Sequence, residues 1–233
     1  MISLPYSDGE HSDCEKAPKA IIKQFEGIFS NESNQKITLP KHKEAKIDSI
    51  PKDKIYIGGD HTVSYHILKQ HPTEGLLVFD AHPDVFQQFD NPTHIDWLKF
   101  VVEEKIVKPE NIIVVGIRNP HPSEIDYFKQ KGITYVTCKG IKPESSCDAI
   151  MEKLKNLSSF HISIDMDVLD PAFAPGVCYL EPAGLTTRQL LYYLQRVRIL
   201  KNLKSLDVVE VNPKKDINNV TAKTAAKIIA EFL

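Results

Sequence analysis

Asp80-Ala81-His82-Pro83-Asp84 sets an acid, an imidazole and a second acid at alternate positions. In an extended segment that spacing puts all three side chains on one face. There they repel or compete for protons unless a cation balances them. A second alternation, Asp165-Met166-Asp167, follows the run at 162–164. Two carboxylates at the mouth of a buried strand are costly without a counter-charge. A third piece, Gly58-Gly59-Asp60-His61, opens a helical segment, and its glycines permit a tight turn with positive φ that brings His61 close to whatever packs below. Each piece also has a plainer reading. Asp80 and Asp84 could cap the next helix, Asp165 and Asp167 could form a solvated turn ending at Asp170-Pro171, and Asp60 could be an N-cap. Together, His61, Asp80, His82, Asp84, Asp165 and Asp167 make an oxygen-rich set with some nitrogen. That set suits manganese and similar divalent ions better than a thiolate zinc site. Bridging carboxylates would let six residues serve two ions. Two close cations generate hydroxide near neutral pH and clamp a tetrahedral intermediate, so hydrolysis is the chemistry indicated.

The elements that must position these residues alternate along the chain. Strands are predicted at 2–5, 54–57, 75–79, 111–116, 134–137, 160–166 and 206–211, several of them apolar on consecutive residues. That pattern suits strands covered on both faces. Helices are predicted at 15–28, 62–70, 97–104, 122–131, 147–157, 187–200 and 221–233. The polar, lysine-rich segment 30–51 reads as a surface excursion or as holding a short edge strand at 36–39. Strand–helix alternation over residues 1–233, without repeat or linker, predicts one α/β domain with a mainly parallel sheet. Ligands of such sheets bind beyond the carboxyl ends of the strands. Four predicted strands run there into Gly58–His61, Asp80–Asp84, Asp165–Asp167 and Glu210-Val211-Asn212-Pro213.

The composition sets outer limits. A chain of 233 residues with 42% hydrophobic content can bury one substantial core. A net charge of −2 gives no support to nucleic-acid binding. No apolar run approaches the ~20 residues that span a bilayer, and the first residues lack the basic-then-apolar pattern of a secretory signal. The expectation is a cytoplasmic protein with no membrane partner. Cys14, Cys138, Cys147 and Cys178 are scattered without a CxxC pair, as expected of thiols that pack as small apolar groups. A magnesium phosphatase is disfavoured, since no phosphate-cradling glycine loop or arginine cluster is evident.

The Gly-Gly-Asp-His, Asp-Ala-His-Pro-Asp, Ser163–Pro171 and Glu-Val-Asn-Pro motifs, in that order, resemble the ureohydrolases: arginases, agmatinases and relatives such as formimidoylglutamase. The resemblance runs from about residue 54 to the C-terminus and includes the closing Thr221-Ala222 and Ala225-Ala226 helix. It implies a three-layer α/β/α sandwich of the arginase/deacetylase type. By the same resemblance, His61, Asp80, Asp84 and Asp165 hold one manganese, and Asp80, His82, Asp165 and Asp167 hold the other. Asp80 and Asp165 would bridge. A hydroxide between the ions would attack the guanidinium carbon and release urea and an amine. Glu210 matches the glutamate that salt-bridges the guanidinium. His94 falls where agmatinase-like members carry a histidine that passes a proton to the leaving amine; the alternative is an exposed loop histidine. His94, Glu210 and Asp84 are thus the catalytic candidates, and His94, Glu210, Tyr179 and Cys178 the substrate contacts.

The chain also departs from the pattern. Val177-Cys178-Tyr179-Leu180 stands where the family often has Gly-Thr-Gly-Thr, so Tyr179 replaces a threonine that helps hold the guanidinium. The loop 85–93 lacks the Asn and Ser pattern with which arginases grip an α-amino acid, and the chain is short before residue 54. An agmatine-like guanidino or amidino substrate is expected, in a trimer or hexamer by family resemblance. The alternatives are a formimino, amide or other linear C–N substrate, or a metal-binding homologue without turnover.

Overall fold

Parallel strands can be joined only by crossovers, which here are helices. The computed structural model describes residues 1–9, 12–39, 41–86 and 89–233. Its strands are β1 (Ile2–Leu4), β2 (Lys43–Glu44), β3 (Ile55–Gly58), β4 (Gly75–Phe79), β5 (Ile112–Ile117), β6 (Thr134–Thr137), β7 (Phe160–Asp165) and β8 (Leu203–Val209). They form one sheet in the order β2-β1-β3-β8-β7-β4-β5-β6, and every neighbouring pair is parallel. The helices are α1 (Ala17–Gln24), α2 (Thr62–Gln70), α3 (Trp97–Glu103), α4 (Pro122–Lys131), α5 (Pro143–Lys155), α6 (Thr187–Val197) and α7 (Val220–Ala230).

Alternate residues of one strand serve opposite layers, as the pleat requires. Leu77 and Phe79 of β4 pack in a cluster with Ile21 of α1, Leu154 of α5, Leu194 of α6 and Ile229 of α7. Leu76 and Val78 pack in another with Leu68 of α2, Val101 of α3 and Phe128 of α4. The expected three-layer α/β/α sandwich is therefore present, with a sheet that is wholly parallel.

Some local expectations fail. The edge strand expected at 36–39 is absent: Lys36 makes only an isolated antiparallel bridge to Ser30, and the strand on that edge is β2. The predicted helix 15–28 is broken into a 3-10 turn (Ser12–Lys16), α1 and a second 3-10 turn (Phe25–Gly27). Helix α5 starts four residues before the expected position, and β8 three residues before. Of the loop 85–93, residues 87 and 88 lie outside the described residues, as does residue 40 of the segment 30–51.

Two glycines matter to the site. Positive φ is not what the Gly58-Gly59 turn needs, because neither residue has it. Gly59 is required by close approach: a Cβ there would lie 1.9 Å from the Tyr6 carbonyl oxygen. Gly116, with φ +112°, lies so close under the Asp80 carbonyl that a Cβ would stand 2.8 Å from its oxygen. Among the described residues, no helix is long and apolar enough to cross a membrane.

Candidate metal centre and substrate cavity

The four strands that lead into the motifs, β3, β8, β7 and β4, are consecutive in the sheet. Their carboxyl ends gather the predicted ligands. His61 Nδ1 stands 3.1 Å from Asp80 Oδ2, 3.1 Å from Asp84 Oδ2 and 3.2 Å from Asp165 Oδ2. An octahedral ion with bonds of ~2.1 Å has donor–donor edges of about 3 Å, so these atoms are spaced as ligands of one cation. His82 Nδ1 lies 2.9 Å from Asp167 Oδ2 and 3.6 Å from Asp80 Oδ1, a second potential ligand group. Asp80 turns one oxygen toward each group. Asp165 Oδ2 faces the His61 group, and its Oδ1 accepts from the Asp167 amide at 2.7 Å. His61 Nδ1 and Asp80 Oδ2 are buried and make no hydrogen bond to any described residue. Orphaned buried donor and acceptor atoms at the focus of several carboxylates fit a cation-binding set.

The electrostatics agree. Burial raises the Asp165 carboxyl well above its ordinary value, and Asp167 and Asp80 push it further. Burial and Asp80 likewise raise Asp84. Burial opposes charge on His61, but Asp165, Asp80 and Asp84 outweigh it and hold the ring well above the usual 6.5. Burial opposes His82 too, and Asp167 and then Asp80 overcome it. Asp167 is lowered because His82 outweighs its burial. The surrounding acids thus favour positive charge at this focus, which divalent ions would supply.

The route to this convergence differs from the one-face argument. Strand β4 ends at Phe79, and Asp80–Asp84 run through bends, with Asp84 at φ +51°. Asp80 Oδ1 accepts from the His82 amide at 2.6 Å, as Asp165 Oδ1 does from Asp167. Asp80 thus closes a local turn while facing both groups, and the expected capping of the next helix by Asp80 and Asp84 is absent, because α3 begins only at Trp97, after Asp96. Asp60 similarly accepts from the Thr62 amide at 3.1 Å, through Oδ1.

A buried polar ladder lies behind the cluster and was not identified from sequence. His61 Nε2 is 2.9 Å from Ser163 Oγ, and Ser163 donates to Asp207 Oδ1 at 2.9 Å. Asp207 Oδ1 also accepts from Ser64 at 3.1 Å, and Oδ2 pairs with His161 Nε2 at 2.7 Å. His161 Nδ1 meets Ser205 Oγ at 2.7 Å. The signal was available: His161-Ile-Ser163-Ile-Asp165 and Ser205-Leu-Asp207 alternate polar with apolar in strands covered on both faces. Such partners orient a metal-binding imidazole and typically change affinity ~10–100-fold. Asp207→Asn should weaken metal binding by that factor while the fold persists; unchanged affinity in a metal titration would remove the ladder's orienting role.

A cavity of about 190 Å³ opens over the cluster, lined by His82, Asp84, Phe86, His94, Ile95, Glu124, Asp165, Asp167, Tyr179 and Glu210. Glu210, at φ +65°, is fixed by its amide donating to the Gly59 carbonyl at 2.8 Å and by Oε1 accepting from the His61 amide at 2.8 Å. His94 is buried at 4% exposure rather than lying open on a loop. Asp8 Oδ2 holds it, accepting from the His94 amide at 2.9 Å and pairing with Nδ1 at 2.8 Å. Asp8 itself hangs from Asp60 Oδ2 through its amide at 2.6 Å. Burial, then Glu210 and Asp8, raise Asp60 to about 7. Tyr179 stacks on His94 (ring centroids 6.0 Å apart, 23° between planes) and meets His82 edge-on at 5.8 Å. Cys178 is not among the lining residues; its thiol lies against Cys14. Trp97 Nε1 donates to Asp84 Oδ2 at 2.7 Å. Arg118 donates to the carbonyls of Gly116, Asp167, Val168, Leu169 and Glu181, knitting the Asp167 turn to the segment that leads back to Tyr179.

Comparison with known proteins agrees with this architecture. The arginase family model matches residues 2–233. Proclavaminate amidinohydrolase of Streptomyces clavuligerus is 34% identical over 190 residues, covering 77% of this chain and 60% of that protein. Agmatinase of Bacillus subtilis is 32% identical over 186 residues, covering 76% and 61%. The chain thus spans about 60% of the length of these relatives. The crystal structure of formimidoylglutamase from Bacillus subtilis superposes with a TM-score of 0.87 at 25% identity, covering 99% of this chain and 84% of that one.

Proposed function

Because the chain belongs to the arginase family, we propose that it is a binuclear, manganese-dependent amidinohydrolase acting on an agmatine-like guanidino compound. In this reading His61, Asp80, Asp84 and Asp165 hold one ion and Asp80, His82, Asp165 and Asp167 the other. When bound, the ions would supply an activated water and positive charge for the transition state. The remaining roles belong to the chain. Glu210, fixed at Oε1 by the His61 amide, pairs with the guanidinium and orients its carbon over the cluster. Tyr179, lying against His82 and His94, closes the cavity against water. Asp8 orients His94 through Nδ1, and the ring would pass a proton to the departing amine. A cytoplasmic setting and a trimeric or hexameric assembly go with this proposal.

One observation carries the substrate class. Among the described residues lining the cavity there is no lysine or arginine, while beyond the proposed ligands Asp84, Asp165 and Asp167 the wall carries two further acids, Glu124 and Glu210. A substrate carboxylate would enter without a counter-charge, which is costly in a closed site, whereas a cationic tail is welcome. The test is product release by the manganese-loaded protein from agmatine, arginine, guanidinobutyrate, guanidinopropionate and formiminoglutamate. Agmatine should exceed every carboxylate-bearing compound in kcat/KM by about 10²-fold. Preference for a carboxylate-bearing compound would overturn the substrate class. Silence across the panel with two ions bound would overturn the guanidino reading and favour another linear C–N bond or a homologue without turnover.

A further inference from the structure

Beside Glu210 two cysteines from distant parts of the chain meet. Cys14, in the turn Ser12–Lys16, is wholly buried, and Cys178, directly before Tyr179, is half-buried. Their sulfurs are 3.7 Å apart, which is van der Waals contact, although 164 positions separate them in sequence. Cys14 Sγ also faces Glu210 Oε2 at 3.8 Å, and Asn212 Nδ2 donates to Cys178 Sγ at 3.2 Å. The other two thiols are elsewhere: Cys138 donates to the Gly116 carbonyl at 3.1 Å, and Cys147, in α5, packs into the core.

We propose that Cys14 and Cys178 are an oxidisable dithiol, a modification site for peroxides and small disulfides, and that closing it into a disulfide disturbs the cavity wall and lowers turnover. A disulfide is ~2.05 Å long, so the two sulfurs must approach by roughly 1.6 Å. That movement draws Cys178, and with it the neighbouring Tyr179, toward the Ser12–Lys16 turn. It also removes the S–H that faces Glu210. Both residues line the cavity, and displacements near 1 Å at a reacting centre cost large factors in rate.

The pair has a defined order of reaction. Cys178 is the sulfur an oxidant can reach, and the Asn212 N–H favours its thiolate. Cys14, wholly buried against Cys178 with the sulfurs 3.7 Å apart, is the resolving partner and gives up its proton as it attacks. With a peroxide, the Cys178 thiolate attacks one oxygen, the O–O bond breaks, and the other oxygen leaves as water after taking a proton. The sulfenic acid so formed is attacked by the Cys14 sulfur; the S–O bond breaks and the hydroxyl leaves as water with the Cys14 proton. Two thiols lose two electrons and two protons, and the peroxide becomes two waters. A small disulfide reaches the same product by two exchanges and departs as two thiols. A dithiol reductant reverses either route.

The test treats the manganese-loaded protein with hydrogen peroxide or oxidised glutathione. Thiols are counted, the intact mass is taken, cross-linked peptides are mapped, and initial rates are followed before and after dithiothreitol. The activity arm rests on the proposed amidinohydrolase reading; the thiol chemistry does not. Expected are loss of two of the four thiols, a mass lower by two hydrogens, a Cys14–Cys178 peptide, and kcat/KM reduced about tenfold or more and restored by reduction. Cys14→Ser should give no disulfide and instead leave Cys178 carrying oxygen, and Cys138→Ser should respond like the parent protein. Four surviving thiols, a different pairing, or a Cys14–Cys178 disulfide that leaves the kinetics untouched would each overturn the proposal. Should Cys14→Ser fold poorly, Cys178→Ser serves in its place, with the two-thiol loss abolished.

Discussion

Asp165→Ala should abolish turnover and strip the centre of metal, with a loss of about 10³-fold or more in kcat/KM. The side chain does two jobs from one buried position at the end of β7. Oδ2 faces His61 Nδ1 at 3.2 Å, and Oδ1 accepts from the Asp167 amide at 2.7 Å. Alanine removes a ligand shared by the proposed ions and releases the turn that aims Asp167. Asp165→Asn separates the effects, since the amide oxygen can still accept from Asp167 while the negative charge is gone. Asparagine should therefore keep the fold and lose metal; alanine should lose metal and the turn. In a chelator the ranking changes. Burial, Asp167 and Asp80 make the Asp165 charge unfavourable, so metal-free Asp165→Asn should melt no lower than the metal-free parent, whereas Asp165→Ala, with the Asp167 amide left unsatisfied, should melt lower. Metal content and melting temperature decide the matter, and a variant that keeps two ions and full turnover would refute the assignment.

Glu210→Gln should show the complementary result, with both ions retained and guanidino turnover reduced by about 10²–10³-fold. Glutamine preserves the acceptor for the His61 amide at Oε1 but not the charge that pairs with a guanidinium. Glu210→Ala should lose as much activity and, in addition, leave the buried His61 amide unsatisfied, at about 1–3 kcal/mol. Metal analysis beside kinetics distinguishes this residue from a ligand. Normal turnover in either variant would end its proposed role.

The six clustered acids and imidazoles were legible because residue type carries most of the message: few folds tolerate four carboxylates and two histidines together without a cation. The strands they follow were legible for the same reason that they are central, since apolar runs covered on both faces admit little else. The geometry was less legible. Asp80, His82 and Asp84 were expected to share the face of an extended segment, yet bends and a left-handed Asp84 bring them together. Asp8 went unnoticed as the partner of His94 because 86 positions lie between them and no local pattern links them. Arg118 drew no role from the sequence, because its partners are five backbone carbonyls, which residue type does not reveal. The edge strand was misplaced because two residues, Lys43 and Glu44, are too few to impose a period.

The strand order has a consequence for how the protein is made. His61 follows β3 and Asp80 follows β4, adjacent in sequence, yet β8 and β7 separate these strands in the sheet. A ribosome delivers β3 and β4 before the two strands that join them, and neither gains its neighbour on that side until β7 and β8 have been made. During that interval β3 and β4 each present an unpaired edge of apolar backbone, a condition that favours off-pathway pairing and chaperone capture. The proposed ions would find their full set of ligands only after β7 and β8 have slotted between the two halves. A nascent chain stalled before residue 203 would thus carry all six proposed ligands and still lack β8, the strand that joins their two halves into one centre.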